Sequence, residues 1–408
     1  MQRVVIVGTG QGGQQAAVSL RQEGFAGEIL MIGDEAGLPY QRPPLSKAYM
    51  ASGDADALLL KPAAFYERLL ITLLGRTRAT RIDRAAQEVE TEDKTRHGYD
   101  HLILATGAHN FRPPLPGLEA AGVMELRTLA DAERIRQRLG RSRHAVVVGG
   151  GFIGLEFAAM ARAANVAVTV IEAGPRLMAR AVSPRMSDLF LTLHRAMGTA
   201  VLLDTMAAAV MTDASGAAAG VIVADGSEIA GDLVLIATGV RPNVELAAEA
   251  GLACRNGILV DGSLQTDDPA ISALGDVAAF PGPSGHPVRL ESVQAAVDHA
   301  RHIARRLMTS TTTPYSAVPW FWSDQGPYKL QIAGLATDAD DCILLPQASG
   351  EPVVLLFREG RLAAVETINA PGLHMAARHL IAAPASVLEA HDYDLRQAAK
   401  AVRAEAIH

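Results

Sequence analysis

The sequence predicts an α/β fold built from two copies of one plan. Each copy begins with an apolar strand that leads into G-x-G-x-x-G, and each ends with an apolar strand followed by Ala-Thr-Gly. The first copy extends from Val4 to Gly107, and the second extends from His144 to Gly239. Such an internal duplication predicts two Rossmann-type domains and two bound nucleotides.

The first glycine motif has the context that dinucleotide binding requires. The apolar strand Val4–Val7 leads into Gly8, Gly10 and Gly13, and a helix-compatible stretch from Gln14 to Glu23 follows. Glycines at these points permit a sharp turn, close approach of the backbone to a pyrophosphate, and close packing of helix on strand. The N–H groups at the helix start then face the negative phosphates.

An acidic residue after the second strand completes this first motif. The strand Glu28–Ile32 ends at Gly33-Asp34-Glu35. A carboxylate at this point can accept hydrogen bonds from a ribose. Asp34 is our first choice for that role, and Glu35 is the alternative.

The second glycine motif repeats the arrangement. The buried strand His144–Val148 meets Gly149, Gly151 and Gly154, with Ile153 inside the motif. We therefore expect a second dinucleotide at this turn, with Ile153 among its contacts.

The acid of the second copy indicates which nicotinamide cofactor is bound. Glu172 ends the strand Val166–Ile171 and lies 23 positions after Gly149, the spacing expected of a ribose-binding acid. An acid there favours NADH, because it would repel the 2′-phosphate of NADPH. Arg176 and Arg180 follow; they contact the NADH phosphates, or offset the acid and admit NADPH, or are solvated arginines without a role in binding.

A proline-rich loop follows the first acid. The segment Leu38–Lys47 contains three prolines within six residues, which excludes a regular strand or helix interior. Arg42 and Lys47 are thus held on a stiff support. They belong either to a solvated surface connector or to a cationic loop beside the bound dinucleotide.

Small-residue turns mark further candidate contacts. Ala105-Thr106-Gly107 ends one buried strand, and Gly239 closes the matching turn of the second copy. The strand Ile271–Leu274 ends in Gly275-Asp276, whose carboxylate can hydrogen-bond a polyol. Glu291-Ser292-Val293 then opens a helix that extends to about Met308.

The connecting segments have weaker patterns. Residues Asp54–Leu74 look largely helical, and strand-like pieces follow at Ala79–Ile82 and Gln87–Thr91. The Pro- and Gly-rich segment Phe111–Gly117 is typical of a linker.

The last part of the chain, from about Thr313, differs in character. Short strands alternate with turns up to Ala370, and helices close the chain. Both tryptophans, Trp320 and Trp322, lie here in a polar, turn-rich setting. They pack in a core, as large aromatic residues usually do, or one of them faces a flavin or a partner.

Composition narrows the function classes. A length of 408 residues predicts two or three domains. A net charge of −7 argues against nucleic acid or an anionic membrane as the main partner. Cys254 and Cys342 are too few and too far apart for a disulfide framework, a cysteine metal cluster or a C-x-x-C redox pair. The early first strand leaves no room for a signal peptide and no apolar run is long enough to span a bilayer, so we expect a cytoplasmic protein.

The order of these motifs resembles one family along essentially the whole chain. It is similar to the FAD-dependent NADH:ferredoxin reductases, of the putidaredoxin reductase and biphenyl dioxygenase ferredoxin reductase type, that serve bacterial cytochrome P450s and ring-hydroxylating dioxygenases. The motifs that carry the resemblance are the two fingerprints, Arg42-Pro-Pro-Leu-Ser-Lys47, the two Ala-Thr-Gly turns, Glu156, Arg241-Pro-Asn243, Gly275-Asp-Val277, Glu291-Ser-Val-Gln294 and Phe321-Trp-Ser-Asp-Gln325.

The resemblance implies a glutathione-reductase-like fold: two Rossmann-type nucleotide-binding domains plus a small α+β C-terminal domain. Residues 1–112 and 237–312 would form a discontinuous FAD domain, and residues 113–236 the NADH domain. Residues 313–408 would form the domain that covers the flavin.

The resemblance also implies roles for particular residues. Arg42 and Lys47 would contact FAD, and Lys47 would pair with Glu156 beside the flavin. Asp276 would bind the ribitol, and Val293 would meet the pyrimidine edge of the ring. One tryptophan would lie near the flavin, and the analogy favours Trp322 over Trp320. Ala295 stands where relatives often carry Asn, so no side-chain role is carried over there.

The implied activity is hydride transfer from NADH to FAD, followed by transfer of single electrons to a [2Fe–2S] ferredoxin. That ferredoxin would present an acidic surface, and the reductase would be a monomer or a weak homodimer. Arg301, Arg305, Arg306 and Lys329 are candidates for the basic docking surface.

Three other functions are compatible with the same fold. A disulfide reductase needs a redox-active cysteine pair after the first βαβ unit, and an NADH oxidase or peroxidase needs a reactive cysteine near Pro43-Pro44; this chain has neither. An FAD/NADH redox sensor or interaction protein similar to apoptosis-inducing factor shares the proline-loop and Phe-Trp-Ser-Asp patterns. Rapid turnover with a ferredoxin separates the reductase from that alternative.

Overall fold

The computed structural model describes residues 1–282, 285–309, 313–347 and 350–405. The described residues form two compact units. Unit 1 contains the described parts of Met1–Arg42, Asp54–His109 and Val240–Ala317, and unit 2 contains those of Pro43–Gly53, Asn110–Gly239 and Val318–His408.

Strands and helices alternate along much of the described chain. The strands are, in order, β1 Arg3–Val7, β2 Glu28–Ile32, β3 Ile71–Leu74, β4 Ala79–Asp83, β5 Glu88–Thr91, β6 Arg96–Gly98, β7 His101–Leu104, β8 Ala108–Asn110, β9 Val123–Glu125, β10 His144–Val148, β11 Ala167–Ile171, β12 Ala200–Leu202, β13 Ala207–Thr212, β14 Ala218–Val223, β15 Glu228–Ala230, β16 Leu233–Ile236, β17 Val240–Pro242, β18 Ile258–Leu259, β19 Ile271–Ala273, β20 Ala278–Pro281, β21 Pro287–Val288, β22 Trp320–Gln325, β23 Tyr328–Gly334, β24 Asp341–Leu345, β25 Val353–Arg358 and β26 Arg361–Ile368. The α-helices are α1 Gln11–Gln22, α2 Ala48–Ser52, α3 Ala63–Arg68, α4 Leu129–Leu139, α5 Phe152–Ala163, α6 Pro184–Ala196, α7 Glu245–Glu249, α8 Val293–Thr309, α9 Pro371–Ala377, α10 Ala385–Glu389 and α11 Leu395–Glu405.

Unit 1 is built on a five-stranded parallel sheet in the order β19-β7-β1-β2-β3. The fingerprint strand β1 is central, and β7, which ends at the first Ala-Thr-Gly, pairs with it in the register Val4↔His101. A strand that is buried on both faces of its sheet has a continuous run of apolar residues. For this reason β1 and β7 could be predicted from the sequence. Helices α1 and α8 pack against each other beside this sheet.

Unit 2 repeats the arrangement in a sheet of order β12-β11-β10-β16-β9, which is also parallel. Its central strand β10 carries the second fingerprint, and β16 beside it ends at the second Ala-Thr-Gly. A three-stranded antiparallel excursion belongs to each copy, β4-β5-β6 in the first and β13-β14-β15 in the second. The predicted duplication and the predicted α/β fold class are thereby confirmed.

The C-terminal part of unit 2 forms a five-stranded antiparallel sheet in the order β22-β23-β26-β25-β24. Helix α9 packs on β23 and β26, and α11 packs on α9. The hairpin β22–β23 aligns Asp324 with Lys329 and turns at Gly326, whose φ is +65°. This is the change to short strands and closing helices that the sequence predicted.

One segment was predicted wrongly. Residues Asp54–Leu74 are not largely helical: α3 is short, and Ile71–Leu74 is the edge strand β3, parallel to β2. The helix ends at Arg68, and Leu70, whose φ is +51°, turns the chain into the strand. A four-residue apolar run fits either a strand or a helix, and pairing with β2 decides the outcome.

None of the helices in the described residues is long and apolar enough to cross a membrane.

Candidate functional site

The two glycine motifs share one backbone geometry. Gly8 and Gly149 have φ of +115° and +113°, values that favour glycine. A Cβ on Gly8 would overlap the Ala105 carbonyl, and a Cβ on Gly149 would overlap the Ala237 carbonyl. In each copy the first glycine therefore lets the fingerprint turn touch the Ala-Thr-Gly turn beside it.

The other glycines of the motifs have two different roles: the last glycine of each motif allows close packing, and the middle one leaves space in front of a helix. A Cβ on Gly13 or on Gly154 would overlap the carbonyl of its own motif's first glycine. A Cβ on Gly10 or Gly151, by contrast, would meet no atom of the described residues within 4 Å.

Gly10 and Gly151 are the N-caps of α1 and α5 and provide no side-chain cap. The N–H groups of each first helical turn are thus left without an N-cap side chain, an arrangement that suits a pyrophosphate. Both turns fit a dinucleotide.

Glu35 is better placed than Asp34 to meet a ligand in unit 1. Asp34 lies 2.9 Å from Arg78 at the surface. Glu35 lines a cleft with Thr9, Gly10 and the start of the proline-rich loop. Its carboxylate accepts hydrogen bonds from Tyr40 and Arg42.

Arg42 carries a fixed positive charge in this cleft. Burial alone would lower the pKa of Arg42, but Tyr40, Glu35 and Asp276 together raise it above its usual range. The interaction with Asp276 links the proline-rich loop to the Gly275-Asp276 turn. Two of the predicted cofactor contacts, distant in sequence, are thus brought together.

The first Ala-Thr-Gly turn is fixed by a residue to which the sequence assigned no role. The Asn243 amide donates to the Thr106 carbonyl at 2.7 Å, and the Thr106 hydroxyl donates to the Asn243 carbonyl at 2.8 Å. Asn243 lies in the Arg-Pro-Asn motif after the second Ala-Thr-Gly, and that motif is the signal by which it can be found.

The Gly275-Asp276 turn is held at its carbonyl side and covered by α8. Gly275 has φ of +66°, and Arg289 donates to the Asp276 carbonyl at 3.0 Å. Ser292 uses its hydroxyl to accept the N–H of Ala295 at the start of α8, where Val293 is the first residue. Ser292 therefore acts as a helix cap here.

In the second copy, Glu172 is fixed by the backbone. Its two carboxylate oxygens accept the N–H groups of Gly150 at 2.7 Å and Gly174 at 2.8 Å. Ile153 is 42% exposed at the helix start, an unusual position for a large apolar side chain. The glycine turn of the second copy therefore has a firmly held acid and an exposed apolar side chain close to it.

The two arginines after Glu172 behave differently. Arg176 donates to the carbonyls of Ala179 and Val182 and to the Ser187 hydroxyl, so it closes its own loop. Arg180 is exposed, and its guanidinium lies 3.0 Å from the position a Cβ on Gly239 would take. Arg180 is the better candidate for a phosphate contact.

Lys47 and Glu156 form an ion pair in unit 2. Lys47 Nζ lies 3.1 Å from Glu156 Oε1 and 3.4 Å from Asp324 Oδ2. Glu156 is only 4% exposed and accepts hydrogen bonds from the hydroxyls of Ser46 at 2.5 Å and Ser323 at 2.7 Å. A buried carboxylate with three donors is fully compensated.

The sequence alone assigned no roles to Ser46, Ser323 or Asp324. All three are polar residues of the Arg-Pro-Pro-Leu-Ser-Lys and Phe-Trp-Ser-Asp-Gln motifs, and their polar character within those motifs is the signal that indicates a role.

The two tryptophans stack on each other rather than filling a core. Their ring centroids are 5.5 Å apart with an interplanar angle of 30°, and both side chains are half-buried. His374 meets the edge of Trp320, and the Arg378 guanidinium lies 4.8 Å from its ring centroid.

One candidate docking residue is wrongly predicted. Arg306 is 8% exposed and donates to Gln265 and Ser272, so it lies in the interior of unit 1 and not on a surface. Arg301 and Arg305 do have exposed side chains, at 60% and 68%. Helical spacing made the three arginines neighbours but did not show which face is buried.

Cys254 and Cys342 are free thiols. Within the described ranges, His, Cys, Asp and Glu do not gather into a group that could hold a metal ion.

Comparison with known proteins identifies the family. Residues 2–300 match the pyridine nucleotide-disulphide oxidoreductase family, and residues 320–402 match the reductase C-terminal family. The chain is 49% identical to rhodocoxin reductase of Rhodococcus erythropolis over 93% of this chain and 89% of that protein.

Two solved structures share the whole fold. The ferredoxin reductase for the CYP199A2 system from Rhodopseudomonas palustris superposes with a TM-score of 0.93 at 41% identity, covering 98% of this chain and 100% of that one. The reductase of a covalent putidaredoxin reductase–putidaredoxin complex gives a TM-score of 0.93 at 36% identity, covering 99% of both chains.

These comparisons confirm the resemblance drawn from the motifs, and they do not favour the redox-sensor alternative. FAD and NADH are the cofactors of this fold, in agreement with the two glycine turns, each of which fits a dinucleotide. The chain belongs to the pyridine nucleotide-disulphide oxidoreductase family, in its group of FAD- and NADH-dependent ferredoxin reductases.

Proposed function

We propose that this chain transfers reducing equivalents from NADH through FAD to a [2Fe–2S] ferredoxin that supplies a cytochrome P450 or a Rieske-type oxygenase. The observation that carries this proposal is the Lys47–Glu156 ion pair, 3.1 Å long. Lys47 stands after the first βαβ unit, in the region where a disulfide reductase would carry its cysteine pair. The chain thus offers a fixed cation there in place of a thiol that could react.

The domain boundaries are proposed from the family pattern. FAD would be held by residues 1–112 and 237–312, NADH by residues 113–236, and residues 313–408 would form the covering domain. The two five-stranded parallel sheets support the first two assignments. The boundary at residue 312 lies outside the described residues.

The residues proposed to hold the cofactors follow the two copies. Those for FAD are Gly8, Gly10, Gly13, Glu35 in preference to Asp34, Arg42, Lys47, Ala105, Thr106, Gly107, Gly275, Asp276, Ser292 and Val293, with Trp320 or Trp322. Those for NADH are Gly149, Gly151, Ile153, Gly154, Glu172, Arg180 and Gly239.

The protein residues bind, orient and hold charge. Bound FAD would supply the redox chemistry, exchanging two electrons with NADH and single electrons with the ferredoxin. Lys47 keeps a positive charge at a fixed point, and Glu156 and Asp324 hold that charge in place. Glu172 selects NADH because its carboxylate is rigidly oriented and would repel a 2′-phosphate.

The partner's surface is proposed to be acidic. Arg301 and Arg305 on α8 and Lys329 on β23 are exposed cations. Opposite charges across an interface would speed encounter and make it depend on salt. The cytoplasmic location and the monomeric or weakly dimeric state remain predictions of the same kind.

The test is NADH-driven reduction of cytochrome c by the yellow holoprotein, with and without added [2Fe–2S] ferredoxins. We expect strong stimulation by an acidic ferredoxin, and weaker stimulation as salt rises. A plant-type ferredoxin and a ferredoxin of an oxygenase system should be compared at equal concentration. Rapid bleaching of the flavin by NADH with no stimulation by any ferredoxin would contradict the proposed partner.

A further inference from the structure

His299 lies directly behind the Gly275-Asp276 turn and accepts a hydrogen bond from it. The Gly275 N–H donates to His299 Nδ1 at 3.2 Å, and both groups are buried. The preceding residue, Leu274, still donates to the Leu104 carbonyl of the sheet. The hydrogen bonds of the sheet therefore end at Leu274. The next N–H, that of Gly275, donates to the His299 side chain on α8.

The surroundings of His299 fix which nitrogen carries the proton. A neutral imidazole has one donor and one acceptor nitrogen. Because Nδ1 accepts from a backbone N–H, the proton must lie on Nε2. A doubly protonated ring would set two N–H groups against each other.

The ring is enclosed by aromatic side chains. Phe280 and Tyr315 meet it at centroid distances of 5.1 and 4.6 Å, both nearly perpendicular. Nε2 is buried and has no hydrogen-bond partner in the described part of the chain. Burial, together with the neighbouring His302, lowers the pKa of His299 to about 3.

The same helix also contacts the fingerprint. Ala296 of α8 lies 3.4 Å from the position of a Cβ on Gly275 and 3.5 Å from that of a Cβ on Gly12 in α1. Helix α8 thus touches both the glycine motif and the acidic turn of unit 1. A hydrogen bond from α8 to the turn fixes their relative placement.

We infer that His299 is a positioning residue, whose neutral Nδ1 holds the Gly275-Asp276 turn so that the Asp276 carboxylate is presented to the polyol chain of the flavin cofactor. This inference rests on the proposed role of Asp276. Arg289 holds the carbonyl side of the same turn. His299 and Arg289 therefore hold opposite sides of the dipeptide.

The experiment uses the full chain loaded with FAD and compares three variants. H299F keeps an aromatic ring but loses the acceptor, H299N places an amide oxygen at the position of Nδ1, and H302F makes the same replacement one turn along α8. The measurement is the rate of FAD release from the oxidised protein in the absence of NADH and ferredoxin. The recovery of flavin fluorescence reports the release.

We expect H299F to release FAD about tenfold faster than wild type, the size expected for one neutral buried hydrogen bond. H299N should lie within about threefold of wild type by the same scale, and H302F should match wild type. Release of FAD from H299F at the wild-type rate, or equal acceleration in H299F and H299N, would overturn the inference.

A second measurement uses only the wild-type protein, so it does not depend on whether the variants fold. In ¹⁵N-histidine-labelled wild-type holoprotein, Nδ1 of His299 should have the shift of an unprotonated nitrogen and Nε2 that of a protonated one, unchanged from pH 8 to pH 5.5. A protonated Nδ1, or titration near the ordinary histidine pKa, would refute the inference. Failure of ferredoxin stimulation would leave both readouts intact and count only against the proposed partner.

Discussion

Lys47 and Glu156 lie 109 positions apart in sequence, yet Lys47 Nζ is 3.1 Å from Glu156 Oε1. Their segments are a proline-rich loop and the helix of the second fingerprint. Asp324, from the C-terminal sheet, completes the set at 3.4 Å from Lys47 and also lies 3.6 Å from Lys329. Three separate segments of unit 2 thus converge on one ammonium group.

Replacing Lys47 by alanine should slow reduction of the flavin by NADH about 100-fold or more, the usual cost of losing one preorganised electrostatic contact. The reason is loss of the cation that the family resemblance places beside the flavin. Stopped-flow bleaching of the flavin at saturating NADH measures the rate. Lys94→Ala is the matched control, because Lys94 is exposed and pairs only with Glu90 in the described residues. Hydride transfer as fast in K47A as in K94A would remove Lys47 from the mechanism.

Replacing Glu172 by alanine should weaken NADH binding about tenfold and narrow the preference for NADH over NADPH. The change removes two backbone hydrogen bonds and the charge that would repel a 2′-phosphate. Dissociation constants for NADH and NADPH, measured by titration of the oxidised protein, test both effects. Equal affinity of the wild-type protein for the two nucleotides would show that Glu172 does not select the cofactor.

Glu35→Gln should weaken FAD binding more than Asp34→Asn. Glu35 lines the cleft beside Gly10 and bonds Arg42 and Tyr40, whereas Asp34 pairs with Arg78 at the surface. The two substitutions remove the same charge one position apart, so each is the control of the other. We expect FAD affinity to fall about tenfold in E35Q, since a charged hydrogen-bond acceptor is lost, and little in D34N. The reverse order would restore Asp34, the first choice from sequence, as the ribose contact.

The glycine turns were predictable because their conformation is decided locally. A positive φ at Gly8 and at Gly149 needs glycine whatever else the chain does. The hydrogen-bond partners of Glu156 were harder to predict from the sequence, because Ser46 and Ser323 reach it from segments far apart in the chain. Arg306 was placed on the surface for a similar reason: helix spacing shows which residues are neighbours, but the buried face depends on Gln265 and Ser272.

Glu366 should make the stability of the protein fall as pH rises. Burial raises the pKa of Glu366 to about 7 from an ordinary value of 4.5, against the opposing hydrogen bonds from the Ser183 N–H and hydroxyl. The folded state therefore holds this proton more tightly than the unfolded state. The stabilisation is complete below about pH 4.5 and is lost as pH rises through about 7, amounting to at most about 3 kcal/mol.

Glu366→Gln removes the titrating group but keeps an acceptor for Ser183. Urea unfolding followed by tryptophan fluorescence at pH 5 and pH 8 should show a larger loss of unfolding free energy in the wild type than in E366Q. Glu359→Gln, at the exposed turn between β25 and β26, is the control and should behave as wild type. If wild type and E366Q lose the same unfolding free energy between the two pH values, the Glu366 carboxyl does not titrate in this range.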